Sequence, residues 1–259
     1  MKVLFIGDIV GKGGRRAVRE LLPSLREREG VEFVIANAEN AAGGIGVTSE
    51  KAKELLEMGI DVLTSGNHIW KKKEILSYIE REPRLLRPAN YPSGAPGRGS
   101  GVFRARNGIK VGVLNLEGRV FMKALECPFR TAEEHIDYLK KESPILVVDF
   151  HAEATSEKMA MGWFLDGEVS AVIGTHTHVQ TADERILPAG TAYITDAGMT
   201  GPINSVIGIK KELAIERFLT LLPNRFEPAK GEIELQGVIV EIDDESGLAL
   251  NIKRIRERL

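Results

Sequence analysis

Val169-Ser-Ala-Val-Ile-Gly-Thr-His-Thr-His178 is an apolar run that closes on two histidines separated by one residue. The run predicts a buried strand that ends in a turn. Residues two apart on an extended chain point to the same side, with Cβ atoms roughly 6.5–7 Å apart. His176 and His178 are then expected to face one spot just past the strand, and paired neutral imidazoles suit a borderline-soft metal. Taken alone, the stretch leaves a surface loop that merely holds two histidines as the lesser reading. The decision comes from what surrounds it.

Short apolar runs alternate with amphipathic stretches along most of the chain. The pattern predicts strands at Lys2–Gly7, Val31–Ala36 and Asp61–Ser65, with helices at Gly14–Glu29, Thr48–Met58 and about Trp70–Arg81. Arg87–Gly101 carries three prolines and four glycines and reads as a long irregular connection. Beyond it, Gly101–Arg106 and Ile109–Leu116 are expected to pair through the Asn107-Gly108 turn. Helices at Ala132–Glu142 and Ser156–Leu165 then alternate with strands at Pro144–Phe150 and Val169–Ile173. After residue 185 the segments Arg185–Leu187, Thr191–Thr195, Phe218–Leu222, Glu232–Ile242 and Leu248–Ile255 all read as strand-like. The last two predict an antiparallel hairpin with one face in solvent. The whole is expected to be one α/β domain over residues 1–259, with two mixed sheets packed together and helices outside.

At 43% hydrophobic the chain can build a sizeable core. Thirty-five basic against 37 acidic residues give a net charge of -2, which argues against bulk nucleic-acid binding. The single Cys127 excludes an internal disulfide framework and suits a reducing compartment. The first apolar run is too short for a membrane span or a secretion signal, so a cytoplasmic protein is expected.

Metal-capable side chains recur at one topological position. Asp8 follows the first strand, Glu39 and Asn40 the second, and Asn67 and His68 the third. His151 follows the Val147–Phe150 run, and His176 and His178 follow Val169–Ile173. Ligands of open α/β sheets bind at carboxyl strand ends. Each residue has a bland reading alone, as a helix cap, a loop polar or a hydrogen-bonded core histidine. Together they favour a metal site. Gly7, Gly66 and Gly174 stand just before ligand-bearing turns, where the chain turns sharply or passes close to another group. His135, inside an amphipathic helix, reads as an ordinary surface histidine.

Gly7-Asp8, Gly66-Asn67-His68 and Gly174-Thr-His176-Thr-His178 resemble the motif set of calcineurin-like metallophosphoesterases. The chain departs from that set at Val10, Glu39 and Ile69, where a histidine, a bridging aspartate and an acidic residue are expected. These departures, with Asn37-Ala-Glu39-Asn40, Gly66-Asn-His-Ile-Trp70, Asp149-Phe-His-Ala-Glu-Ala-Thr-Ser-Glu157 and Asp196-Ala-Gly-Met-Thr-Gly-Pro202, resemble the YmdB-like phosphodiesterases along nearly the whole chain.

The resemblance implies a four-layer α/β/β/α sandwich and metal-dependent hydrolysis of 2′,3′-cyclic nucleotides or related phosphodiesters. It assigns Asp8, Asn40 and His178 to a first metal, Asn67, His151 and His176 to a second, and Glu39 to a bridge between them. His68 is left free of metal, facing the substrate phosphate. The implied chemistry is in-line attack by a metal-bridging hydroxide with His68 at the leaving ribose oxygen. Two divalent ions, two carboxylates and one hydroxide leave about one positive charge, which suits a monoanionic ester. Oxygen and nitrogen donors without thiolate point to manganese, iron or zinc.

Trp70, Tyr91, Arg119 and Phe121 are candidate rim contacts, although ordinary packing explains each of them better. The rival readings are a phosphomonoesterase or phosphoprotein phosphatase with the same two metals, and a metal-binding regulator of RNA metabolism. A small nucleotide diester is the expected partner, and the C-terminal hairpin makes a homo-oligomer the expected assembly.

Overall fold

The computed structural model describes residues 1–259. The chain opens with β1 (Lys2–Ile6), the short β2 (Asp8–Ile9), α1 (Gly11–Glu29), β3 (Phe33–Asn37), α2 (Ser49–Glu57) and β4 (Val62–Thr64). A 3₁₀ turn (Ile69–Lys71) and α3 (Ile75–Ile79) lead to β5 (Ser100–Arg104), β6 (Lys110–Glu117), α4 (Pro128–Leu139), β7 (Leu146–His151), α5 (Thr155–Phe164) and β8 (Ala171–Thr175). The last third holds β9 (Arg185–Ile186), β10 (Ala192–Ile194), β11 (Met199–Pro202), α6 (Lys211–Thr220), β12 (Ile233–Ile242) and β13 (Ala249–Arg258).

Two sheets result. One runs β2-β11-β12-β1-β3-β4, with β13 paired to β12, and the other runs β5-β6-β7-β8-β10-β9. Both are mixed: β1, β3 and β4 are mutually parallel, as are β6, β7, β8 and β10, while β12 and β5 pair antiparallel with their neighbours. Side chains alternate across a strand, and the layering follows. Val3 and Phe5 of β1 meet Val113, Val147 and Ile173 between the sheets. Leu4 and Ile6 turn the other way, onto Val18, Leu22 and Leu55 of α1 and α2. On the far side, Leu116, Val148 and Phe150 pack with Ile136 and Met161 of α4 and α5. Three apolar interfaces make four layers, α/β/β/α.

The structure departs from expectation at four places. Helix α1 begins at Gly11, three residues early, because Val10 already takes the extended N-cap conformation. The Trp70–Arg81 stretch divides into the 3₁₀ turn and the short α3. The Phe218–Leu222 run begins in the last turn of α6, which ends at Thr220 and is closed by Leu221 at φ 58. The run matches a strand in composition, but residues from Lys211 propagate a helix into it and no strand edge lies beside it to pair. Finally, β12 and β13 form the expected antiparallel hairpin, but β12 is not half-exposed. It lies between β1, β11 and β13 and is almost wholly buried; only β13 mixes buried and exposed residues. No helix is long and apolar enough to cross a membrane.

Candidate metal centre

The carboxyl ends of parallel strands from both sheets meet at one place, where α/β sheets take ligands. Asp8 opens β2, Glu39 and Asn40 follow β3, and Asn67 and His68 follow β4; His151 ends β7, and His176 and His178 follow β8. Two glycines permit this convergence. A Cβ on Gly66 would sit 2.0 Å from the His151 ring, and one on Gly174 would sit 1.8 Å from the Thr195 carbonyl oxygen. Close approach, as anticipated, explains both.

All eight candidate residues come together. In one half, His151 Nε2 lies 3.1 Å from Asn67 Oδ1, 3.0 Å from His176 Nδ1 and 3.3 Å from Glu39 Oε1. In the other half, His178 Nε2 lies 3.2 Å from Asn40 Nδ2 and 3.6 Å from Asp8 Oδ1. Glu39 Oε1 also accepts from Asn40 Nδ2 at 3.2 Å, so this carboxylate touches both halves.

Each histidine is fixed from behind. His151 Nδ1 donates to Thr175 Oγ1 at 2.9 Å, and that hydroxyl donates to Asp149 Oδ1 at 2.7 Å. His176 Nε2 donates to Glu153 at 3.1 Å, and His178 Nδ1 donates to the Ile207 carbonyl at 2.9 Å. The remaining nitrogen of every ring therefore aims into the cluster, the arrangement that fixes tautomer and direction in metal-binding histidines.

The donor set fits a cation. Two ligands each about 2.1 Å from a shared ion stand roughly 3.0–3.4 Å apart for right-angled to tetrahedral geometry, and the contacts around His151 Nε2 fall in that range. One ring nitrogen cannot satisfy three lone-pair-bearing neighbours with a single proton. Asp8 Oδ1 is fully buried without any hydrogen-bond partner, a costly state for a carboxylate oxygen unless a cation sits beside it.

Protons balance the charge in the metal-free protein. Burial opposes protonation of His151, but Glu39, Asp8 and Asp149 outweigh it and push the ring up to about 10. His178 is likewise opposed by burial and pushed up by Asp8, to about 8. Burial and the neighbouring His151 hold His176 down to about 3. Burial raises Asp8 and Glu39, yet their histidine neighbours hold both carboxyls below the usual range, Glu39 well below.

Three local expectations need correction. The His176-Thr177-His178 segment is not extended: His176 has φ 102 and His178 φ 65, and a turn brings the rings together. Asn40 presents Nδ2, not Oδ1, to His178 and Glu39, because Oδ1 accepts from His68 Nδ1 at 2.8 Å. Its oxygen reaches a cation only after the amide rotates. His135 is no plain surface residue; it is half-buried and hydrogen-bonded to Ser100 Oγ at 2.8 Å.

His68 stands apart from the cluster nitrogens. Its backbone N–H donates to Glu39 Oε2 at 3.0 Å and its side chain is 27% exposed. At the rim, Trp70 and Tyr91 pack edge-to-face at 5.8 Å, while Phe121 is 90% exposed. Sequence reasoning missed Asp149, Thr175, Asp196 and Lys158. A lone acid inside the apolar Ile145–Phe150 run was the available signal for Asp149.

The profile of the family described as YmdB-like protein matches residues 4–255. The chain belongs to that family. It is 51% identical over 255 residues to a Bacillus subtilis protein named 2′,3′-cyclic-nucleotide 2′-phosphodiesterase, covering 98% of this chain and 96% of that one. A crystal structure of a hypothetical protein from Thermus thermophilus superimposes with a TM-score of 0.93 at 41% identity, covering 100% of this chain and 99% of the other. One described as a novel phosphatase from Mycoplasma pneumoniae gives 0.93 at 37% identity, over 100% and 93% of the two chains.

Proposed function

We propose that this chain is a metal-dependent phosphoric diester hydrolase acting on 2′,3′-cyclic nucleotides or chemically related diesters. The observation that carries the reading is the convergence of three oriented histidine nitrogens with Glu39, Asn67 and the unpartnered Asp8 Oδ1. The activity named for the Bacillus subtilis relative supports it.

Asp8, Asn40 and His178 would hold one cation and Asn67, His151 and His176 a second, with Glu39 reaching both. Bound there, the cations supply Lewis acidity that activates water and offsets phosphate charge. The oxygen and nitrogen donors suit iron or manganese, with zinc also compatible. Only two of the seven ligands are carboxylates, which keeps the loaded site net positive and matches a substrate with a single negative charge.

The chain's own groups do the rest. Glu39 holds His68, its Oε2 accepting the backbone N–H at 3.0 Å and its Oε1 lying 3.2 Å from Nδ1. His68 carries the proton to the leaving ribose oxygen. The backing groups Thr175, Glu153 and Ile207 keep the ligating nitrogens free of protons once the site is loaded.

The test is a substrate panel on protein reconstituted with manganese, iron or zinc. A 2′,3′-cyclic nucleotide and a bis-nitrophenyl ester are expected to turn over faster than the nitrophenyl monoester, and Glu39→Gln to be silent on all three. Preference for the monoester would move the reading to a phosphomonoesterase. His68→Ala is expected to slow turnover roughly 10²–10⁴-fold while both metals stay bound; loss of metal from that variant would remove His68 from its role.

A further inference from the structure

Behind the His176-Thr177-His178 turn lies an ion pair that the proposed chemistry does not use. Lys158 of α5 is 1% exposed and Asp196 is fully buried, and Lys158 Nζ donates to Asp196 Oδ2 at 2.7 Å. The same oxygen accepts from the Thr177 backbone N–H at 3.0 Å and from Thr177 Oγ1 at 2.8 Å. Asp196 Oδ1 accepts from the Gly198 N–H at 2.9 Å, so the carboxylate cannot swing away. The stem of Lys158 also crosses Gly174: a Cβ there would stand 3.1 Å from Lys158 Cδ.

Thr177 is the residue between the two histidines, and both neighbours hold positive φ, 102 and 65. L-residues rarely adopt that region and persist in it only when their surroundings over-determine them. Two outer restraints exist: Asp8 Oδ2 accepts the His176 N–H at 3.1 Å, and Ile207 takes His178 Nδ1. Both run through or beside the ligands themselves. Only the Asp196 carboxylate grips the turn at its centre.

A well-packed apolar pair gives comparable stability to a buried ion pair, so stability alone does not explain this one. An unpaired Asp196 would also add a further negative charge behind the cluster. We propose that Lys158 and Asp196 are positioning residues that lock the His-x-His turn in its ligating shape, Asp196 by gripping Thr177 and Lys158 by cancelling its charge. The inference rests on the metal-centre reading above.

The test uses full-length, metal-free protein titrated with Mn2+ and followed by electron paramagnetic resonance, with melting and amide exchange recorded before metal is added. Thr177→Val removes the hydroxyl contact at constant size, and Thr177→Ser retains it. Lys158→Met/Asp196→Leu removes both charges and the acceptor for Thr177 together, so no lone buried charge threatens folding. Thr177→Val and the double variant are expected to bind Mn2+ roughly 10–100-fold more weakly, with faster exchange confined to the turn and metal-free melting near wild type. Thr177→Ser is expected to keep wild-type affinity.

Mn2+ affinities equal to wild type in both disrupted proteins would overturn the clamp. So would an affinity loss that appears equally in Thr177→Ser, or one that merely follows a lowered metal-free melting temperature. Wild-type protein that takes up no Mn2+ would instead overturn the metal-centre reading beneath it.

Discussion

His151 ends a central strand, is wholly buried, and is braced through Thr175 to Asp149, whereas His178 stands in a turn and is backed by the Ile207 carbonyl. The contacts differ in the same sense. Around His151 the donors lie 3.0–3.3 Å apart. Around His178 the Asp8 oxygen is 3.6 Å away and the Asn40 amide is turned. One half of the site is therefore set by the core and the other by loops. Damage to the first should spread into folding, and damage to the second should stay in the chemistry.

The largest test of that contrast pairs His151→Ala with His178→Ala. Both are expected to lower diesterase turnover by more than the roughly 100-fold that a lost backing partner costs. At about pH 9, above the value of about 8 at which His178 gives up its proton, only His151→Ala is expected to lower the metal-free melting temperature as well, because it empties a packed position under Gly66. Equal melting losses in the two variants would erase the distinction.

A smaller effect separates the braces. Thr175→Val cuts the link from His151 to Asp149 and is expected to weaken metal binding roughly 10–100-fold, read by isothermal titration. Wild-type affinity in that variant would mean that strand position alone aims His151.

The smallest effect is one of pH, measured as melting of metal-free protein. Free imidazole titrates near about 6.5, while His151 and His178 are pushed up to about 10 and about 8. Their contribution to stability is complete below about pH 6.5 and is lost as pH rises through 8 and then 10. His176, held down to about 3, acts in the other direction and penalises folding as pH falls from about 6.5 toward 3. Metal-free melting is thus expected to decline between pH 6.5 and 10, with the His178→Ala protein declining less at the lower end. A flat profile would show that protons do not balance the empty cluster.

The same contrast explains what could be read from sequence. Strand periodicity and the position of Asp8, Glu39, Asn67 and His151 just past apolar runs made their convergence legible, because strand ends are determined locally. The turn at His176–His178 was not, since its positive φ values depend on Asp196 and Asp8, distant in sequence. Helix α6 was misread for a related reason: its apolar Phe218 and Leu219, and Leu222 just beyond it, stay exposed, so composition there does not report burial. The interior place of β12 likewise depends on β11, a short strand whose Met-Thr-Gly-Pro sequence carries no strand signal.

Anomalous diffraction from crystals loaded with Mn2+ decides between a two-metal and a one-metal site. Two peaks roughly 3.5–4 Å apart are expected, one against Asp8, Asn40 and His178 and the other against Asn67, His151 and His176, with Glu39 touching both. A single peak, or density away from these side chains, would contradict the two-metal reading.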